Sequence, residues 1–420
     1  MSLDARLACA ARSRALLAAA ADAVVDAAVA EAGTPRRFAR REVDSALGLL
    51  DALPALAEAI RPRAVPAASG TTTLEWMPFG VVFGWHAANS PVWVPTLVAS
   101  SALAGGNTVV CRPSRRCRRT TGVVLAALAA AWPADALVVL DDPDPVRGEA
   151  LIGHPEVGAV VAHASTATCR RHLARLAEAC AAGAPLRPYI PEASGNDAMI
   201  VLPGADPARV AEAVALGGYA NAGQLCMSAK RLIVDRTAWP DLRGPLAAAI
   251  GALVVGDPDD ERTDIGPLAE GPARTQARAA LAEARAAGGE LVVGEGERGG
   301  LFTPTLVLLP RPVHAALMLW REEVFAPLRS VVLADGPEDA LALANDSVYG
   351  LGASVFGGAG AARDRVVAGL RAARVVVDEG PLYQDAHLVV GGVGDSGLAG
   401  ARPKIEQLVW ARRTHRAAGG

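Results

Sequence analysis

Between residues 81 and 203, short apolar, β-branched runs alternate with Ala- and Leu-rich stretches of helical period, and this alternation restricts the fold more than any other feature of the chain. VVFGW (81–85) reads as a buried strand, PTLVASSALAGG (95–106) as a helix, and NTVVCRPS (107–114) as a second strand leaving into a loop. The pattern repeats: TGVVLAALAAA (121–131) is helical, ALVVL (136–140) a strand, PVRGEALIG (145–153) a short helix and VGAVVAH (157–163) a strand. A helix over 165–182 and the strand AMIVLP (198–203) follow. Strands joined through helices pair in parallel, because reversing direction needs only a short turn whereas a crossover needs a dozen or more residues. Successive right-handed crossovers predict an open, mostly parallel sheet whose ligand crevice lies beyond the carboxyl ends of its strands.

The flanking sequence extends this plan. Residues 3–35 and 37–60, separated around Gly33-Thr34-Pro35, carry apolar positions every three or four residues and are expected as two helices. TTTLEWMPFG (71–80) is expected as a strand or hairpin arm. Asp206-Pro207 suits a helix start, since Asp caps free N–H groups and Pro fits the first turn. A second alternation follows through RLIVD (231–235), helix 238–251, ARTQARAALAEARAAG (273–288), ELVVG (290–294), FTPTLVLLP (302–310) and the series 328–334, 337–345 and 352–356. It predicts a second α/β lobe over 204–388. IEQLVWARRTHR (405–416) reads as an extended arm packing elsewhere or across a subunit boundary, and the terminal AAGG is expected to fray.

Composition excludes several function classes. With 51% hydrophobic residues and a formal charge of -3, the 420-residue chain is expected to be soluble and well packed. Its 41 Lys+Arg against 44 Asp+Glu leave no global positive field for nucleic acid. Lys230 and Lys404 are the only lysines, a bias read as compositional. The six cysteines make no C-x-x-C pair, and the start of the chain has no secretion signal, so a reducing cytoplasm is expected. The apolar stretch 92–104 is interrupted and too short to span a membrane. His86 and His163 flank the expected crevice without a ligand-spaced partner set, so no metal is assigned.

PEASGNDAMIVLPGAD (191–206) and NAGQLCMSAKRLIVD (221–235) resemble the two active-site signatures of the aldehyde dehydrogenase superfamily, in its NAD(P)-dependent, nonacylating form. Further matching stretches occur in order: PFGVVFGWHAANSP (78–91), ALAGGNTVVCRPS (102–114), GDPDDERTDIGPL (256–268), REEVFAPL (321–328), NDSVYGLGASVF (345–356) and GGVGDSG (391–397). The resemblance implies a Rossmann-type cofactor lobe over 1–67 and 82–203, a catalytic α/β lobe over 204–388, and an oligomerisation arm of 68–81 with 404–416. It also implies a homodimer or homotetramer.

On this resemblance Cys226 is the nucleophile that attacks an aldehyde. Such a step needs a soft thiolate, favoured by a depressed pKa. Glu192 matches the base that activates water against the resulting thioester, and Asn89 matches the amide donor to the oxyanion, with the Cys226 N–H beside it. The family's Glu-Leu-Gly-Gly is here Glu192-Ala193-Ser194-Gly195, and its Pro-Trp-Asn-Phe-Pro is Ala87-Ala88-Asn89-Ser90-Pro91.

The resemblance places cofactor contacts at Arg112, Ser114 and Arg115, at Ser165 and Thr166, and at Glu323 and Phe325. Arg115 stands where NAD-preferring members often carry a glutamate, and a guanidinium suits a 2′-phosphate, so NADP is expected over NAD, which stays possible. Ser165 and Thr166 open a helix whose N–H groups favour phosphate, but Ala164 and Cys169 replace two family glycines. Two other readings stay open. One is an enzyme that forms or reduces acyl-CoA or carrier-linked thioesters, against which the retained Glu192 argues. The other is a noncatalytic homologue, which the lost glycines favour.

Overall fold

The computed structural model describes residues 1–142, 144–268, 271–383, 391–398 and 400–417. Three helices come first: α1 (Leu3–Ala19), α2 (Ala21–Ala32) and α3 (Arg36–Ala57). The expected single helix over 3–35 is therefore broken at Ala20. No Pro or Gly causes the break; it lets Leu17 of α1 and Val24, Val25 and Ala28 of α2 enter one core with Val43 and Leu50 of α3. Gly33, at φ 65, then ends α2 in the left-handed conformation, where glycine carries no Cβ penalty.

After the short β1 (Arg63–Val65) and the long β2 (Thr71–Pro78), the chain enters the alternation seen in the sequence. Its elements are β3 (Val81–Trp85), α4 (Trp93–Ala104), β4 (Thr108–Arg112), α5 (Arg118–Ala129), β5 (Leu137–Val139), α6 (Pro145–Ile152), β6 (Val157–His163), α7 (Thr166–Ala181) and β7 (Tyr189–Glu192). They form a five-stranded sheet in the order β5-β4-β3-β6-β7, with every pair parallel. Val82, Val98, Val109, Leu125 and Val161 fill the core on one face. Phe83, Ile152, Val160 and Tyr189 fill the other, as expected for strands covered on both sides.

The second lobe runs through β8 (Asp197–Val201), α8 (Pro207–Tyr219), β9 (Ala229–Asp235), α9 (Trp239–Gly251), α10 (Pro272–Ala286), β10 (Glu290–Val293), the hairpin β11 (Glu297–Arg298) and β12 (Leu301–Phe302), and β13 (Thr305–Leu308). It continues with α11 (Met318–Arg321), β14 (Leu328–Ala334), α12 (Pro337–Asn345), β15 (Tyr349–Gly350), β16 (Gly352–Phe356), α13 (Gly360–Gly369), β17 (Arg374–Val377) and β18 (Val393–Gly394). Seven strands pair in the order β10-β13-β14-β9-β8-β16-β17. This corrects the expected boundary at 203–204. β8 pairs with β9 and β16 rather than with the first sheet, so the chain changes lobes at residues 193–196, immediately after Glu192. Its all-apolar run reads equally well as a buried strand of either sheet; Ile200 packs with Ile233, Val332 and Val355 in the second. The part of the expected lobe at 384–388 lies outside the described residues, as does most of the terminal AAGG.

The last elements are a helical turn, α14 (Lys404–Gln407), and β19 (Val409–Arg416). β19 pairs antiparallel with β2 over its whole length, from Val409↔Pro78 to Arg416↔Thr71, and β1 pairs on the other side of β2. The expected arm is thus a three-stranded ribbon. No helix among the described residues is long and apolar enough to cross a membrane.

Candidate active site

Both sheets end at one cavity of about 1260 Å³, lined by Asn89, His163, Glu192, Cys226, Glu323 and Phe325, and by the start of α7. Asn89, His163 and Glu192 come from the carboxyl ends of first-sheet strands or the turn that follows, whereas Cys226, Glu323 and Phe325 come from the turns that lead into β9 and β14 of the second sheet.

Cys226 sits on an irregular turn between α8 and β9. Asn221 and Ala222 adopt left-handed φ angles of 51° and 55°, and Gly223 continues at 71°. The conformation is held from below by Arg329, which is fully buried and donates to the carbonyls of Gly218 (2.7 Å), Gly223 (2.9 Å) and Ala326 (2.8 Å) and to Ser228 Oγ (2.9 Å). Lys230 Nζ donates to the carbonyls of Leu225 (2.8 Å) and Cys226 (2.7 Å) and lies 3.5 Å from Glu323 Oε1. Asn221 Nδ2 donates to the Asn89 carbonyl at 3.0 Å, tying the loop of the first lobe to the cysteine turn of the second.

The thiol is not activated at rest. Burial pushes the Cys226 pKa up to about 12, with Glu323, Asp197 and Glu192 acting in the same direction against Lys230. The depressed value expected from the sequence is therefore absent from this arrangement, because burial disfavours the thiolate and the charges of Glu323, Asp197 and Glu192 add to that against the one ammonium of Lys230.

Glu192 ends β7, where the strand pairing sets it beside His163 of β6. It is buried, its Oε1 accepts from Lys404 Nζ, and its Oε2 has no protein partner. Burial raises its pKa, and the Lys404 ammonium opposes that shift. His163 is held well below the usual imidazole range by burial and by Lys404 and His86 nearby.

The cofactor candidates separate into two groups. Ser165 caps α7, accepting from the Thr168 N–H at 3.3 Å, and Thr166 Oγ1 donates to the Asp395 carbonyl at 2.7 Å; both residues line the cavity. Glu323 Oε1 accepts from the Gly195 N–H at 2.9 Å, and Phe325 lies on the same wall. A capped helix start, a carboxylate and a ring along one cavity fit the diphosphate and nicotinamide half of a dinucleotide.

Arg112, Ser114 and Arg115 are not brought into that cavity. Arg112 is 4% exposed and lies 4.0 Å over the Trp85 ring, and α6 presses so closely that a Cβ on Gly148 would come within 2.5 Å of Arg112 Cδ. Arg115 is exposed, and Ser114 Oγ accepts weakly from the Arg116 N–H at 3.4 Å. A parallel-strand end faces either the layer beneath it or the crevice, and burial against Trp85 turned Arg112 toward the layer. Among the described residues no group of three or more His, Cys, Asp or Glu side chains could hold a metal.

The sequence reading missed Lys230, Lys404 and Arg329. The two lysines had a visible signal, since they are the only ones in the chain. Arg329 had none, being one arginine among many.

The chain matches the aldehyde dehydrogenase family model over residues 1–409. It is 34% identical over 346 residues to the vanillin dehydrogenase of Pseudomonas fluorescens, covering 79% of this chain and 69% of that protein. It is 33% identical over 421 residues to the vanillin dehydrogenase of Pseudomonas sp. strain HR199, covering 94% and 84%. The crystal structure of an oxidoreductase from Marinobacter aquaeolei superposes with a TM-score of 0.92 at 25% identity, covering 99% of this chain and 86% of that one. Family match, fold and clustered residues agree: the chain belongs to the aldehyde dehydrogenase family, NAD(P)-dependent enzymes that oxidise aldehydes to carboxylic acids.

Proposed function

We propose that Cys226 adds to the aldehyde carbonyl while the Asn89 amide and the Cys226 N–H stabilise the oxyanion, and that Glu192 then activates water to release a free carboxylic acid. The observation that carries this reading is the convergence of Asn89, Glu192, Cys226 and Glu323 on one cavity from two lobes. The bound nicotinamide supplies the hydride acceptor. Glu323 and Phe325 would hold its side of the cofactor, and Ser165 and Thr166 the diphosphate. Because the resting thiol is protonated, its proton must pass to a base before attack; Glu192, on the same cavity wall with Oε2 unpartnered, can take it and release it to solvent before the hydrolytic step. Water attack on the Cys226 thioester forms the new C–O bond and breaks the C–S bond, and Glu192 carries the water proton during the step.

Arg115 supports a preference for NADP, since an exposed guanidinium can pair with a 2′-phosphate. Phe38, Trp93, Leu216, Leu225 and Leu382 on the cavity wall, together with the two vanillin dehydrogenase relatives, support a neutral aromatic aldehyde as substrate. The β2–β19 ribbon supports assembly as a homodimer or homotetramer, and six free cysteines suit a reducing cytoplasm.

The test is turnover of benzaldehyde or vanillin with NADP and with NAD, with the product identified. Acid formation that disappears in Cys226→Ala supports the reading. Turnover that requires coenzyme A would replace it with the acyl-transferring alternative.

A further inference from the structure

Of the 41 basic residues in this chain, only Lys230 and Lys404 are lysines. Both are buried, at 3% and 2% exposure, and both touch the candidate site. An arginine bias acts on every exposed position alike, because either cation serves in water. It stops where a compact ammonium fits and a planar five-donor fork does not. Lys230 is explained by the carbonyls of the cysteine turn. Lys404 has another task, which the motifs did not reveal.

Lys404 reaches the site from the C-terminal segment, 212 positions from its partner in sequence. Its Nζ donates to Glu192 Oε1 and, at 3.2 Å, to Gln407 Oε1. The other titratable groups around Glu192 are His163 on β6, Cys169 on α7 and Cys226 in the second lobe. His163 is neutral in its buried setting, so none of these supplies the opposing charge. A buried carboxyl without a counter-ion holds its proton to higher pH and cannot accept one from water. The pairing also leaves Oε2 without a protein partner.

We propose that Lys404 is a positioning residue for the hydrolytic half-reaction, holding Glu192 as a carboxylate through Oε1 and leaving Oε2 to accept the proton of the attacking water. This rests on the reading of Glu192 as the base. In the step, water oxygen bonds to the thioester carbon, Oε2 takes one water proton, the C–S bond breaks, and the departing Cys226 sulfur recovers that proton as the acid leaves. Lys404 keeps its own protons throughout.

The experiment compares wild type, Lys404→Met, Lys404→Arg, Gln407→Met and Glu192→Gln in full-length protein. It reads the burst and steady-state rates of cofactor reduction, and the pH profile of p-nitrophenyl acetate hydrolysis, which needs no cofactor. Lys404→Met is expected to keep the burst, lower the steady-state rate by about tenfold or more, and move the acid limb of hydrolysis up by about one pH unit. Lys404→Arg keeps the charge in a head that fits the site less well, and should leave the limb between those of wild type and Lys404→Met. Gln407→Met loosens the lysine without removing it and should shift the limb the same way by less, which keeps the idea testable if Lys404→Met does not fold. Burst and steady-state rates falling together with an unmoved limb, while Glu192→Gln still blocks hydrolysis, would overturn the role of Lys404 alone. Unchanged hydrolysis in Glu192→Gln would overturn the base assignment and this proposal with it.

Discussion

A Cβ placed on Gly195 would come within 2.5 Å of the Cys226 carbonyl oxygen, so the loop that follows Glu192 and the turn that carries the cysteine are in backbone contact. Gly195→Ala is therefore expected to displace Cys226, the proposed nucleophile. Overpacking of this kind costs about 1–3 kcal/mol of stability, while a small misplacement of reacting groups costs about a hundredfold in rate. Thermal unfolding and kcat measured on the same preparation check this, and an unchanged kcat would contradict it.

Asn89 is held from its backbone by Asn221 and leaves its side-chain amide in the cavity wall. Asn89→Ala should lower kcat by about 10²–10³-fold, the usual cost of an oxyanion donor, with little change in unfolding temperature. A steady-state comparison with the same aldehyde decides it.

The Cys226 thiol, pushed up to about 12, is protonated near neutral pH in the resting protein. Its alkylation by iodoacetamide should therefore keep rising with pH well above 8. Glu323→Gln removes a negative charge that raises this pKa, so more thiolate forms at a given pH and alkylation speeds up. Lys230→Met removes the opposing charge and slows it. Mass spectrometry of the Cys226 peptide separates this cysteine from the other five.

Arg115 is the exposed member of the pair at the end of β4, whereas Arg112 is packed on Trp85. Arg115→Ala should weaken NADP binding by about tenfold, the scale of one charge-assisted hydrogen bond, and leave NAD binding nearly unchanged. Calorimetric titration of both cofactors tests it; equal loss for the two would remove the 2′-phosphate argument.

Arg329 satisfies several carbonyls beneath the cysteine turn, and burial lowers its pKa to about 10. Arg329→Met leaves those oxygens buried without donors, each worth about 1–3 kcal/mol. Denaturant unfolding should show a loss above about 3 kcal/mol, larger than that of any substitution proposed above.

The alternation of strands and helices was legible because periodicity and turn residues are local: the helices and strands between 81 and 181 appear at nearly their expected positions, whereas the short strand β7 (Tyr189–Glu192), interrupted by Pro191, was not read as one. The family motifs likewise pointed to Cys226, Glu192 and Asn89 by their neighbours in sequence, and the cavity brings the three together. The membership of β8 was not legible, since an apolar run carries no information about which sheet receives it. Nor was the break at Ala20, which only the packing of α1 and α2 into one core explains.

By itself, then, the sequence determined the order of most elements, the two-lobed α/β plan and the family to which the chain belongs. Tertiary structure decided the protonation of Cys226, the inward turn of Arg112 and the pairing of Glu192 with Lys404. The reason is physical. Hydrogen-bonded periodicity is set by residues a few positions apart, whereas charge state depends on desolvation and on partners far along the chain. Only folding brings those partners within reach.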